Sequence, residues 1–220
     1  MKIIPVSDLK NRNILQEIIS HLKSDGLLIY PTDTLYGIGC NFYSLNSQNK
    51  IDTLKGRKDI PYSVAIPGTE YIKDLTSGSM KLFNLFSSSG SFSKLTFLFK
   101  LNEKIDKKFV KNSNLIGIRL IEEGPLKDLL EIFSSPLITT SVNRTGEPPS
   151  DSLESIRDFA ENSEYSDEII IIESGSLPKS MGSTIIDVSG DVIKIIREGD
   201  NVSTIIETIR RNKKQSKSLT

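Results

Sequence analysis

The sequence predicts a mixed α/β fold: a single domain on a twisted sheet, part parallel and part antiparallel, with flanking helices. Three observations carry this. Short apolar strand patterns alternate with amphipathic helix patterns along most of the chain, which suits parallel pairing through helical crossovers. Two late strand patterns, 183–188 and 192–197, flank Ser189-Gly190-Asp191, a hairpin signal that adds antiparallel pairing. The 220 residues show no internal repeat and no Pro- or Gly-rich linker, so one core is expected.

The elements follow in order. Ile14, Leu15, Ile18, Ile19 and Leu22 share one helical face over 13–24, and Gly26 can end that helix. Leu27 to Tyr30 reads as a buried strand stopped by Pro31, followed by a loop at 31–39. A helix at 47–56 leads to a strand at 62–66. A helix at 79–87 carries Leu82, Phe83, Leu85 and Phe86, and strands follow at 95–101 and 116–120. Residues 125–134 read as an amphipathic helix and 137–142 as a strand. Asp151-Ser152-Leu153-Glu154 resembles a capping box that opens a helix to about 162. A strand at 168–172 precedes the hairpin. The last helix places Val202, Ile205, Ile206 and Ile209 at helical spacing. The domain is expected to span 1–209. From Arg210 the chain is rich in Lys and Arg, and this tail, 210–220, is expected to be disordered.

Composition removes several classes. At 37% hydrophobic and 25% charged residues the chain is not generally disordered. Twenty-eight basic side chains balance 28 acidic ones, so the molecule is no polycation built to coat nucleic acid, although a local basic patch stays open. The lone Cys40 excludes an internal disulfide and fits a reducing compartment. The lone His21 excludes a His-rich metal site, and no metal ligands are assigned. No apolar run approaches the roughly 20 residues that span a bilayer, and Met1 to Asp8 lacks a secretory signal. The expected location is the cytoplasm, without membrane contact.

Neither a Gly-x-x-x-x-Gly-Lys-Ser/Thr phosphate loop nor a Gly-x-Gly-x-x-Gly is present. Four segments nevertheless gather small, hydroxyl and charged residues beside strand ends, where α/β sites form. Pro31-Thr32-Asp33-Thr34-Leu35-Tyr36-Gly37-Ile38-Gly39 reads either as a ligand loop or as a turn with its own Asx bonds. Lys55-Gly56-Arg57-Lys58 can clamp phosphate, or simply place favourable charge at a helix C-terminus. Thr139 to Gly146 can bind sugar or phosphate oxygens, or cap its own turn. The hairpin can bring Ser183 and Arg197 to one place, or leave a solvated arginine.

In this order the segments resemble the YrdC family of threonylcarbamoyl-AMP synthases. The likeness rests on 31–39, on Lys55 with Arg57, and on Ile116-Gly117-Ile118-Arg119. It continues with Ser141, Asn143, Gly146 and Pro148, then with 183–187 and 197–199. It runs from about residue 8 to 207. It implies a twisted sheet around a basic concave cavity, in the short form without an added C-terminal domain. It also implies condensation of L-threonine, bicarbonate and ATP to threonylcarbamoyl-AMP and pyrophosphate, with Mg2+ carried by the nucleotide. The product would serve a downstream threonylcarbamoyl-transferase complex that modifies the adenosine beside the tRNA anticodon. By position, Thr32, Thr34, Arg119 and Ser183 would bind threonine, Arg119 taking its carboxylate. Lys55, Arg57, Ser141, Asn143 and Arg197 would bind ATP, with Lys55 and Arg57 catalytic and their charges facing the cavity.

The chain departs from the family at four places. Phe92-Ser93-Lys94-Leu95-Thr96 stands where many members have Pro-Gly-Pro-x-Thr, and Ala65 where some have His. Glu198 replaces a Pro and brings negative charge near Arg197, and Pro149 replaces a hydroxyl residue. These bear on substrate affinity more than on reaction class. The rival readings are a non-catalytic module binding double-stranded RNA or tRNA, a carbamoyl-transfer activity as in hydrogenase maturation proteins, and an inactive paralogue.

Overall fold

A computed structural model describes residues 1–87, 92–150 and 152–217. The strands are β1 (Lys2–Pro5), β2 (Leu27–Pro31), β3 (Tyr36–Gly39), β4 (Ser63–Ile66), β5 (Thr76–Ser77), β6 (Leu95–Leu101), β7 (Leu115–Leu120), β8 (Leu137–Ser141), β9 (Ile169–Glu173), β10 (Thr184–Asp187) and β11 (Lys194–Arg197). The helices are α1 (Arg12–Lys23), α2 (Leu45–Lys55), α3 (Ile72–Leu75), α4 (Lys81–Ser87), α5 (Pro125–Phe133), α6 (Leu153–Glu161) and α7 (Val202–Lys217). The strands form one mixed sheet ordered β1-β9-β2-β3-β8-β4-β7-β6-β10-β11, with β5 paired to β6. Pairs β1–β9, β2–β9, β4–β7 and β6–β10 are parallel, and the others antiparallel. The expected fold class is therefore observed.

Continuous apolar strands are explained by burial on both faces. In β2, Leu27 and Ile29 enter one core with Tyr36, Ile38 and Phe42, while Leu28 and Tyr30 enter another with α1 and α5. β9 divides the same way, Ile169 and Ile171 against Ile170 and Ile172. Rings of Phe83, Phe92 and Phe97 pack at 5.0–5.9 Å between centroids, which anchors α4 over β6.

Several expectations are corrected. Only the first half of 31–39 is a loop, because Tyr36–Gly39 pairs with β2 as β3. The glycines make this possible: a Cβ on Gly39 would lie 2.1 Å from the Ile138 carbonyl oxygen. β1 and β5 were not anticipated, being short and weakly patterned. The cap of α6 is Ser152, whose hydroxyl accepts from Ser155 N at 3.2 Å while Ser155 answers, so Glu154 is not the partner. Asp151 lies outside the described residues. α7 runs on through Arg210 to Lys217.

Candidate active site

A cleft of about 350 Å³ opens over the middle of the sheet. The loop after β2 supplies Thr32 and Thr34, β7 supplies Arg119, the end of β8 supplies Thr139 to Ser141, and the segment after α2 supplies Arg57. Gly182, Ser183 and Arg197 close the far wall. Three guanidiniums thus face one space that no described carboxylate lines. A second cavity, about 490 Å³, lies beyond Thr32 and Asp33. It is lined by Asp33, Glu122 and Glu123 without a Lys or Arg, so its charge is wrong for a triphosphate.

Thr32 organises the loop. Its hydroxyl donates to Leu35 O at 2.6 Å and accepts from the amides of Thr34 and Leu35, both at 3.2 Å. Arg119 Nη2 reaches Thr32 Oγ1 at 3.2 Å and Thr34 Oγ1 at 2.7 Å, and it pairs with Asp33 Oδ1. Asp33 Oδ2 accepts from Ser93 Oγ at 2.9 Å and from the Lys94 amide. Burial pushes the Asp33 carboxyl up, but Arg119 and the Lys94 amide outweigh this and hold it below its ordinary value. Sequence reasoning missed Asp33 as a site residue. The strand-adjacent Thr-Asp-Thr was the only signal available.

Opposite, Arg197 donates to Ser183 O through Nη2 at 2.7 Å and lies 3.3 Å from Ser183 Oγ. Ser183 is buried, and its hydroxyl shares a 2.8 Å bond with Thr96. Gly199 permits this wall, since a Cβ there would stand 2.4 Å from Gly182 O and 2.7 Å from Ser183 O. Burial and then the nearby Arg119 charge push the Arg197 pKa down. Like charges across a cleft disfavour each other, and an anion placed between them would relieve that repulsion. Glu198 is exposed, does not line the cleft and makes no ion pair with Arg197.

Arg57 donates to Ile60 O and Pro61 O at 3.2 and 3.3 Å, and its guanidinium lies 4.1 Å over the Tyr62 ring. Its buried Nε has no partner among the described residues. The Tyr62 hydroxyl donates to Asp52 at 2.7 Å, and Asp52 also pairs with Lys111.

Two expected cleft residues are turned elsewhere. Lys55 is 3% exposed, and its ammonium donates to Ser141 O at 2.6 Å, Asn143 O at 2.9 Å and Asn143 Oδ1 at 3.1 Å. Its charge therefore does not face the cavity; it pins the turn after β8 to the end of α2. Burial, then Arg57, lowers its pKa to about 8. Asn143 spans that turn, donating to Arg144 O and Glu147 O at 2.8 and 2.9 Å. Ser141 lines the cleft and donates to Asn143 Oδ1. Thr32, Thr34, Arg57, Arg119, Ser141, Ser183 and Arg197 are thus brought together, with Lys55 and Asn143 behind them.

Residues 20–199 match the Sua5_yciO_yrdC family model, whose description reads telomere recombination. The threonylcarbamoyl-AMP synthase of Wigglesworthia glossinidia brevipalpis is 28% identical over 157 residues, covering 69% of this chain and 79% of that protein. The threonylcarbamoyl-AMP synthase of Mus musculus is 25% identical over 217 residues, covering 88% and 70%. P. abyssi Sua5, solved in complex with L-threonine, superposes with a TM-score of 0.78 at 22% identity. That match covers 89% of this chain but only 57% of the longer Sua5 chain. With most of its length matched and the expected sheet present, the chain belongs to the Sua5/YciO/YrdC family.

Proposed function

We propose that this protein is a threonylcarbamoyl-AMP synthase, a nucleotidyltransferase that joins L-threonine, bicarbonate and ATP. The observation that carries the reading is the convergence of Arg57, Arg119 and Arg197 with the hydroxyls of Thr32, Thr34 and Ser183 in one cleft that no described carboxylate lines. All three substrates are anionic at their reacting ends, and planar guanidinium forks suit carboxylate and phosphate oxygens. The synthase names of the relatives and the L-threonine complex of P. abyssi Sua5 support the same substrates.

In this reading Arg119 takes the threonine carboxylate, with Thr32, Thr34 and Ser183 around the amino acid. Arg57, Ser141 and Arg197 hold the nucleotide, while Lys55 and Asn143 keep the turn carrying Ser141 in place. The threonine amine condenses with bicarbonate, losing water, to give a carbamate. The carbamate oxygen then attacks the α-phosphorus and pyrophosphate leaves. The chain's contribution is positioning and charge stabilisation, since among the described residues no His, Cys, Asp or Glu lines the cleft to act as base or to activate a hydroxyl. A magnesium ion would be carried by the triphosphate rather than by a residue of this chain, and would offset phosphate charge. Among the described residues no three His, Cys, Asp or Glu side chains are grouped to hold a metal.

The product would pass to a threonylcarbamoyl transferase acting on tRNA, which fits a cytoplasmic protein. No described helix is long and apolar enough to cross a membrane. Pyrophosphate release with ATP and bicarbonate, with and without L-threonine, tests the reading. Threonine-dependent release is expected. Its absence, together with salt-sensitive RNA binding, would instead favour the non-catalytic RNA module.

A further inference from the structure

Lys94 holds a conformation that its residue type avoids: its φ is +61°, in the left-handed region. Such a conformation persists only where the surrounding bonds hold it. Its three polar groups bridge the two walls of the cleft, the amide to one and the carbonyl and ammonium to the other. Its amide donates to Asp33, the carboxylate paired with Arg119. Its carbonyl accepts from Thr184 N at 2.9 Å, at the start of β10. Its ammonium reaches Asp200 Oδ2 at 3.1 Å. Asp200 in turn accepts from Ser180 Oγ at 2.8 Å and from the Met181 amide at 3.0 Å, and so fixes the segment leading into Ser183. Burial pushes the Asp200 carboxyl up, yet these donors hold it below its ordinary value. A proline at this position could form neither the left-handed turn nor the amide bond to Asp33.

We propose that Lys94 is a positioning residue that sets the spacing of the two cleft walls, acting on Arg119 through Asp33 and on the Ser183–Arg197 wall through Asp200. The inference rests on the synthase reading for its kinetic consequence, but its structural part stands apart from that reading. The two arms are separable. The Asp33 arm uses the backbone, which glycine retains at positive φ without strain. The Asp200 arm uses only the ammonium. Lys94→Gly therefore cuts one arm and leaves the other, in a backbone that glycine favours, so the variant should fold.

The test measures pyrophosphate release for the wild type, Lys94→Gly, Lys94→Arg, Asp200→Asn and the Lys94→Gly/Asp200→Asn double variant. Amide hydrogen exchange at Met181 to Thr184 is measured alongside. Lys94→Gly should raise the KM for ATP about fivefold with kcat within about twofold, the scale of a partly exposed ion pair. The same amides should exchange several-fold faster. Lys94→Arg should keep both readouts near wild type, and the double variant should fall short of the sum of the single effects, since the Lys94–Asp200 pair is counted in both while the bonds of Asp200 to Ser180 and Met181 are lost only once. Unchanged KM and unchanged exchange in Lys94→Gly, or fully additive effects in the double variant, overturn the proposal. A wild type without threonine-dependent release sinks the synthase reading instead, and the exchange measurement then decides Lys94 by itself.

Discussion

Arg119 directs a single nitrogen, Nη2, at three oxygens from consecutive residues: Thr32, Asp33 and Thr34. A nitrogen with two protons cannot serve three acceptors fully, so a bound carboxylate would take another edge of the guanidinium or displace one of these oxygens. Arg119→Ala should weaken L-threonine binding at least tenfold, the scale of a charged hydrogen bond, and leave ATP binding nearly unchanged. Titration calorimetry with each ligand checks this, and equal loss of both would make Arg119 a structural prop. Lys55 gives a prediction in pH. Its folded pKa of about 8 is below its ordinary 10.5, so between those values the unfolded chain binds more protons. Its contribution to stability must therefore rise with pH across that window, by at most about 1.4 kcal/mol per unit. Denaturant titrations from pH 7.5 to 10 should show a slope that Lys55→Met removes; parallel curves for the two proteins would refute the shift. Thr32, Ser183 and Arg197 are legible as residue types in segments beside strand ends and Arg57 at a helix end, whereas Arg119 is pointed to only by the family resemblance. The sequence hid the inward turn of Lys55, because helix-end spacing does not say where a long side chain goes. Asp33 was hidden because its partners, Lys94 and Arg119, are 61 and 86 residues away.

At the scale of elements, legibility followed burial. β2 and β9 were plain because both faces are covered, which leaves an uninterrupted apolar run. β3 was read as loop because its two glycines are turn residues in most contexts, and only the neighbouring Tyr30 ring and Ile138 backbone explain them. The start of α6 depended on which of two adjacent residues caps it. Since Ser152 and Ser155 bond reciprocally, Ser152→Ala should destabilise the protein by about 1 kcal/mol, and Glu154→Ala by much less. Chemical denaturation of both variants checks the assignment, and a larger loss from Glu154→Ala would contradict it.

For the whole molecule, the cleft's make-up predicts selectivity. Serine lacks only threonine's methyl group, worth roughly 1–3 kcal/mol in a fitted pocket, so it should be a weak but measurable substrate. Valine keeps the shape and removes the hydroxyl, leaving any buried partner unsatisfied at about 1–3 kcal/mol. Nucleotide turnover at matched concentrations should rank threonine first, then serine, with valine no better. Valine equal to threonine would mean that the hydroxyl is not being read.

The parallel pairing of β6 with β10 sets Leu95 beside Thr184, and the cleft draws on residues from Thr32 to Arg197. Contacts so remote along the chain form late, after loop closure over most of the polypeptide. On the ribosome, the nascent chain therefore carries no assembled cleft until Arg197 has emerged. In refolding from denaturant, ligand binding should lag behind recovery of helical circular dichroism, because α1 and α5 form from local contacts and the site does not.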